Sequence, residues 1–328
     1  ANIGLLNDST VISFRINKES SDEKLVQREL VTTIMNFDGV PLDSSIFKMG
    51  SGAHFVFNMG FVRIPPNRLA FAGVFDDGKG DSLGRSFLFQ TDDTFANQSL
   101  LTFPSSVTGV PTALAATGDG EISMVGHHKE KILNAEGSEI KREIRLTKVS
   151  LEGDILWHKT LPQHQQHYMV EAKITDSSEV YILMNSRQNV KAKSNAYGVL
   201  LKLDPNGELI WSKQVSGEYG GFNLRCLTKR PGGWIVTGNA YKMQLLRSWT
   251  KYGSHSWNTY NISLIDTEGE IEYEFDGGLT RFIVTTVAEV TSDSWAITGY
   301  GMPGSEEDFP KGKNPAFDIG ILHYKFSS

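Results

Sequence analysis

Apolar and polar residues alternate with a period of two along most of the 328-residue chain, in short runs separated by turn residues. The stretch Leu200–Val215, LLKLDPNGELIWSKQV, alternates, breaks at Asp204-Pro-Asn-Gly207, and alternates again through Trp211. This predicts a β-hairpin in which Gly207 supplies the left-handed backbone that such turns favour. Leu146–Leu161, LTKVSLEGDILWHKTL, is an earlier copy: Gly153 and Gly207 are 54 residues apart, as are Trp157 and Trp211. Weaker copies span Ile262–Phe275, where Tyr273 replaces the tryptophan, Ile34–Phe47, and Phe87–Phe103 with a degenerate turn. A partial copy, Asp318–Phe326, closes the chain.

An apolar run ending in glycine precedes the hairpins, at Arg68–Phe75, Glu121–His128, Gly233–Ala240 and Ser294–Gly301. Glu179–Ser186 lacks the glycine, and Thr10–Asn17 is the first copy. Before these runs come strands of small and apolar residues, at Thr112–Thr117, Met169–Ile174, Asn223–Thr228 and Val284–Val290. Each unit is therefore four strands, a to d, and six units fit: 1–49, 50–104, 105–162, 163–216, 217–278 and 279–328. The period predicts an all-β chain, a single-domain six-bladed β-propeller of four-stranded blades. Small residues suit strand a, where blades crowd near the axis. Unit six has no residues for strand d. A three-stranded sixth blade, residues missing ahead of Ala1, or another register in unit one would each account for this. No segment carries a sustained helical period; Ser21–Val31 is expected to be a loop with room for one helical turn.

Composition narrows the function. The net charge is −6 and no basic run is dense enough for a nucleic-acid footprint. No apolar stretch approaches the roughly 18 residues of a membrane-spanning helix. Cys226, the single cysteine, forms no internal disulfide and is expected to be buried. A chain that begins at Ala1 without a signal peptide fits a processed secreted or periplasmic protein.

Asp204-Pro-Asn-Gly-Glu-Leu-Ile-Trp-Ser-Lys213 and the variant Glu152–Trp157 are similar to the repeats of bacterial secreted propellers with quinoprotein-like hairpins. The resemblance lies in scaffold residues and implies the fold. Quinone-dependent dehydrogenases of that type have eight blades and vicinal cysteines, so no quinone is expected beside six units and one cysteine. Arg63-Ile64-Pro65, followed by Leu69-Ala-Phe-Ala72, resembles the Arg-Ile-Pro motif of sialidases, which implies that Arg63 grips a carboxylate. The Asp-x-Gly-x-x-Trp box of that family is absent.

In a propeller the b–c and d–a connections share one face. Long b–c loops are predicted at Lys18–Glu29, Asp76–Arg85, Lys129–Glu143, Arg187–Tyr197, Tyr241–Tyr260 and Met302–Phe317. Tyr241–Tyr260 is the richest, with Arg247, Trp249, Lys251, Tyr252, His255 and Trp257, a set suited to stacking on a sugar or anchoring a protein contact. Trp249 is expected exposed and Trp257 buried. His127 and His128, with His164 and His167 in the next connection, are candidate Zn²⁺ ligands. Asp76–Gly84 sets three carboxylates among glycines, as a Ca²⁺ loop would. The sequence demands no cofactor; Ca²⁺ and Zn²⁺ are the ions it would admit. The expected function is a non-catalytic binding or scaffolding propeller of the envelope or extracellular space, its partner another protein or a glycan. The alternative is an enzyme acting on a glycan or small substrate in the central funnel, sialidase-, glycosidase- or lyase-like.

Overall fold

Two-faced strands need a partner sheet on each side, and this requirement organises the chain. A computed structural model describes residues 2–7, 10–19, 27–51, 54–56, 61–76, 85–117, 120–134, 137–162, 167–186, 197–215, 222–241, 258–280, 282–291, 294–301 and 318–325. Sheet one is β1 (Asn2–Asn7), β2 (Thr10–Glu19), β3 (Gln27–Asn36) and β4 (Pro41–Ser51). Sheet two is β5 (His54–Val56), β6 (Phe61–Ile64), β7 (Arg68–Asp76), β8 (Arg85–Asp92) and β9 (Ser99–Pro104), with β5 and β6 both pairing β7. A single helical turn, α1 (Ser105–Thr108), leads to sheet three: β10 (Val110–Ala116), β11 (Ile122–Asn134), β12 (Gly137–Val149) and β13 (Ile155–Pro162). Sheet four is β14 (His167–Ile174), β15 (Val180–Ser186), β16 (Gly198–Leu203) and β17 (Leu209–Val215). Sheet five is β18 (Phe222–Arg230), β19 (Gly233–Tyr241), β20 (Asn258–Asp266) and β21 (Ile271–Thr280). Sheet six is β22 (Phe282–Thr291), β23 (Ser294–Gly301) and β24 (Asp318–Lys325). The protein is all-β, and every strand pair in its sheets is antiparallel among the described residues.

The chain divides into two compact units, Ala1–Gln163 with Ile174–Ser178, and His164–Lys173 with Glu179–Ser328. In the first unit, sheet two is apolar on both faces. Leu69 and Phe71 of β7 and Phe87 and Phe89 of β8 pack against Ile12, Leu30 and Ile34 of sheet one. The alternate residues, Ala70, Ala72 and Leu88, pack with Ile122, Met124 and Val149 of sheet three. The strand period of two sends neighbouring residues to opposite faces, so β7 reads as a continuous apolar run. Each fully buried side chain of this kind contributes roughly 1.5–3 kcal/mol.

In the second unit, Tyr181, Leu183, Leu200 and Val215 of sheet four meet Leu224, Leu227, Trp234, Val236 and Ile265 of sheet five. Tyr181 lies 4.4 Å from Trp234 and 5.9 Å from Trp211, ring centre to ring centre. Trp211 thus packs between sheets, as its place in the repeat implies. A Cβ at Gly198 would stand 2.0 Å from Leu224 Cδ1, so the glycine lets the two sheets approach.

The hairpin turns share one set of bonds. Asp204 Oδ1 accepts the backbone N–H groups of Asn206 (2.9 Å) and Glu208 (2.7 Å), and Asp266 Oδ1 does the same for Glu268 and Glu270. Ser150 serves with its hydroxyl and Asn36 with its amide oxygen. The fourth residue has φ of +79° at Gly39, +97° at Gly153, +75° at Gly207 and +83° at Gly269. The degenerate turn of unit two is built identically on Asp92, but Phe95 takes the glycine position at φ +58°. Its ring is buried in the apolar cluster between sheets one and two, which offsets the unfavourable backbone. Outer strands follow these turns. They expose Leu42 and Ile46, Ile155 and Leu156, Leu209 and Ile210, and Ile271 and Tyr273.

Two expectations change. Gln27–Val31 is strand, not a helical turn, because Glu29 through Val31 pair with both β2 and β4. Lys129–Glu143 is not an open loop: β11 and β12 continue through it as a paired ribbon, with Lys129 opposite Arg142 and Asn134 opposite Gly137. Sheet six has three strands among the described residues. Cys226 is buried, as expected.

Gly153→Ala and Gly269→Ala should each cost about 1–2 kcal/mol, because a Cβ adds left-handed strain. That Cβ would also press to 3.0 Å on Leu101 in the first case and on the Trp211 ring in the second. Phe95→Gly relaxes the backbone yet should cost about 3 kcal/mol by emptying the cluster. Urea denaturation of the three variants checks the ranking.

Candidate functional site

The first strands of several sheets carry an irregularity that recurs. In sheet three, Pro111 pairs with Gly126 and Ala113 with Val125, so Thr112 is an extra residue. In sheet five, Leu224 pairs with Gly238 and Cys226 with Thr237, leaving Arg225 extra. In sheet six, Val284 pairs with Gly299 and Thr286 with Thr298, leaving Thr285 extra. In sheet two the inner strand is split there: β5 ends opposite Val74 and β6 begins opposite Phe71, on either side of Gly73. The glycines that end the apolar runs therefore mark where strand a bulges or breaks. A β-bulge kinks the strand and re-aims a side chain, and bulges gather near functional sites. Each lies toward the b–c end of its sheet.

Side chains from the preceding sheet fix the bulge of sheet five and the entry to sheet three. In the second unit, buried Asn185 of β15 donates to the Leu224 carbonyl (3.1 Å) and accepts the Leu224 N–H (2.7 Å). Glu171 of β14 accepts the Leu227 N–H at 2.6 Å and pairs with Lys173 at 2.6 Å. Arg225, between these anchors, is exposed. In the first unit, Ser86 of β8 donates to the Gly109 carbonyl at the entry to β10, and Thr112 donates to the Val125 carbonyl at 3.0 Å.

Sheet three adds a charged cluster at its b–c end. Buried Glu143 pairs with Lys141 at 2.7 Å and with Arg145, which also donates to Thr160 Oγ1 at 2.5 Å. Burial alone would raise the Glu143 carboxyl, but the Lys141 hydrogen bond and the Arg145 charge, with smaller help from His128, hold it below the usual range. Glu143 pairs with His128 across β11 and β12. His127 is adjacent on β11, and strand alternation sends it to the opposite face from His128. Burial first, then Lys129 and His128, depress the His127 imidazole to about 4.

The residues expected from the sequence scatter. Arg247, Trp249, Lys251, Tyr252, His255 and Trp257 lie outside the described residues, as do His164 and the Asp77–Gly84 part of the acidic loop. The side chain of His167 is also outside them. Because His127 and His128 point to opposite faces, a single ion would meet one of them from that strand. Among the described residues no cluster of three metal-ligating side chains occurs. Arg63 is exposed on β6, two residues before the β6–β7 turn, at the end of sheet two opposite its b–c connection. The inner-strand bulges, Arg225 and the Asn185 clamp were not foreseen, although the terminal glycines of strand b were their visible signal.

No family model matches the chain, and no curated protein matches it. Among solved structures it is similar to a Synechocystis apocarotenoid oxygenase variant at 10% identity, with a TM-score of 0.50 over 81% of this chain and 58% of that one. It is similar to an ACO/RPE65 chimera at 9% identity and a TM-score of 0.51, again over 81% and 58%. Those oxygenases are β-propellers. The fold is propeller-like. At these identities the likeness concerns fold alone, and this propeller-like chain spans less than three-fifths of the oxygenases' length.

Because His127 is neutral in the folded protein down to about pH 4 but titrates near 6.5 when unfolded, the unfolded state binds more protons in that window. The stability it confers is complete above pH 6.5 and is lost as pH falls toward 4. Denaturation at about pH 7 and about pH 4.5 should show the parent losing about 2 kcal/mol more than His127→Asn.

Proposed function

We propose that this is a binding or scaffolding propeller whose partner, a protein or a glycan, sits on the b–c end of the sheets. The carrying observation is the contrast between the two ends. At the c–d end, turns on Asn36, Asp92, Ser150, Asp204 and Asp266 repeat one closed scheme in which the turn's polar groups bond within the turn. At the b–c end a shared bulge carries different surroundings: a charged ribbon on sheet three, an exposed arginine on sheet five, and a split first strand on sheet two. Function concentrates where a rigid scaffold varies. The connection between β19 and β20, with Trp249 and Trp257, emerges at that same end of sheet five.

This reading takes the six sheets as six blades closing into one ring, the sixth with three strands. The common strand order and the sheet-on-sheet packing within each unit support it. A closed ring of this length should give a radius of gyration of about 20 Å in solution scattering. A clearly larger value would separate the two units and remove the ring.

For the binding surface, a panel of glycans is titrated against the parent, the double variant Trp249→Ala/Trp257→Ala, and Arg63→Ala as a control at the opposite end of its sheet. The tryptophan variant should bind about 10- to 1000-fold more weakly, the span for aromatic anchors, and the control should match the parent. Equal loss in both variants would contradict a b–c site, and turnover of a bound glycan would make the protein an enzyme.

A further inference from the structure

Arg225 combines a restrained backbone with a charge that has no partner among the described residues. Its neighbours Leu224 and Leu227 are both fully buried in the apolar cluster between sheets four and five. Cys226 beside it is also buried. Asn185 bonds both backbone groups of Leu224, and Glu171 holds the Leu227 N–H. The backbone on either side of Arg225 is thus tied to sheet four by polar and apolar contacts together. The facing residue, Gly238, has no side chain to cover the bulge.

A bulge lifts its extra residue from the ladder and re-aims the side chain, here toward solvent. The position carries the one side chain whose planar, always-charged fork matches a carboxylate or phosphate through paired hydrogen bonds. Glu171, which reaches the same bulge, is already engaged by Lys173 and by the Leu227 N–H. Among the described residues no ion pair or hydrogen bond involves the Arg225 guanidinium, and it is exposed. An arginine on a pinned backbone loses less freedom on binding than one on a loop, so less of the interaction is offset by ordering. The extra residue of the adjacent inner strand β22, Thr285, lies at the matching register opposite Gly299.

We infer that Arg225 anchors an oxyanion subsite, which takes a carboxylate or phosphate group of the ligand held at the b–c end. This rests on the binding reading above and specifies the ligand: it is anionic at the point that meets sheet five. Arg225 fixes orientation by a two-point contact, while the bulge restrains the backbone from which its side chain projects.

The test titrates sodium acetate and sodium phosphate separately, at constant ionic strength, into isotope-labelled protein while nuclear magnetic resonance follows the Leu224–Leu227 amides and the Arg225 side-chain N–H. Saturable shifts centred on these groups are expected with at least one anion; acetate marks a carboxylate ligand and phosphate a phosphate ligand. Arg225→Ala, an exposed substitution that should leave the spectrum otherwise intact, should abolish saturation. Arg225→Lys should weaken it at least tenfold, because a point charge cannot supply the paired contact. Shifts that stay linear in the parent, or that saturate equally in Arg225→Ala, overturn the subsite. The glycan titration separates the two readings: if Trp249→Ala/Trp257→Ala loses binding while Arg225→Ala keeps it, the b–c site stands and the oxyanion subsite falls.

Discussion

Burial of both faces of a sheet is the constraint from which the other features follow. Leu69, Phe71, Phe87 and Phe89 on one side of sheet two, and Ala70, Ala72 and Leu88 on the other, leave no solvent face in the middle of that sheet. A sheet of this kind has no stable existence alone, because it would expose apolar area on both sides. It needs a sheet before it and a sheet after it. Small residues on one face and aromatic rings on the other set how closely each neighbour can come. Gly198 against Leu224 is the same accommodation in the second unit.

Sheets that stack in this way leave their first strands as open edges, each with unpaired N–H and C=O groups. Asn185, Glu171 and Ser86 show how the edges are closed: a polar side chain from one sheet bonds the inner-strand backbone of the next. The bulge opposite Gly238 lies at the Asn185 and Glu171 closure, and Ser86 bonds Gly109 just ahead of the strand that bulges opposite Gly126. Closing an edge and lifting a residue out of the ladder are therefore one arrangement, and Arg225 occupies the place where it leaves a charge at the surface.

Much of the scaffold was legible in the sequence because it is local. Asp204-Pro-Asn-Gly207 specifies its turn by atoms within five residues, so the hairpin could be read directly, and its copies gave the period. Phe95 hid one turn, since its left-handed backbone is stabilised by a distant cluster that no local pattern reveals. Lys129–Glu143 read as a loop because its charges mask strand alternation, whereas the ribbon depends on pairing between its two arms. The bulges were illegible for the same reason: an extra residue exists only relative to a partner strand. The glycines that end strand b are visible in the sequence, but the register that gives them meaning is set by the partner strand.

The shared turn scheme also bears on how the chain reaches its native state. Each closed turn joins strands that are neighbours in sequence, and every sheet is a meander in which each strand pairs with the next one along the chain, apart from the split strand at the start of sheet two. Contacts of short sequence separation carry a small loop-closure cost and form early. A nascent chain can therefore pair the strands of each sheet soon after they are synthesised, and the sheet becomes stable once its neighbour follows. The exposed Leu209, Ile210, Ile271 and Tyr273 on the edge strands stay apolar in the finished fold, and Glu208, Glu270 and Glu272 beside them set charge along edges that would otherwise invite pairing with another chain.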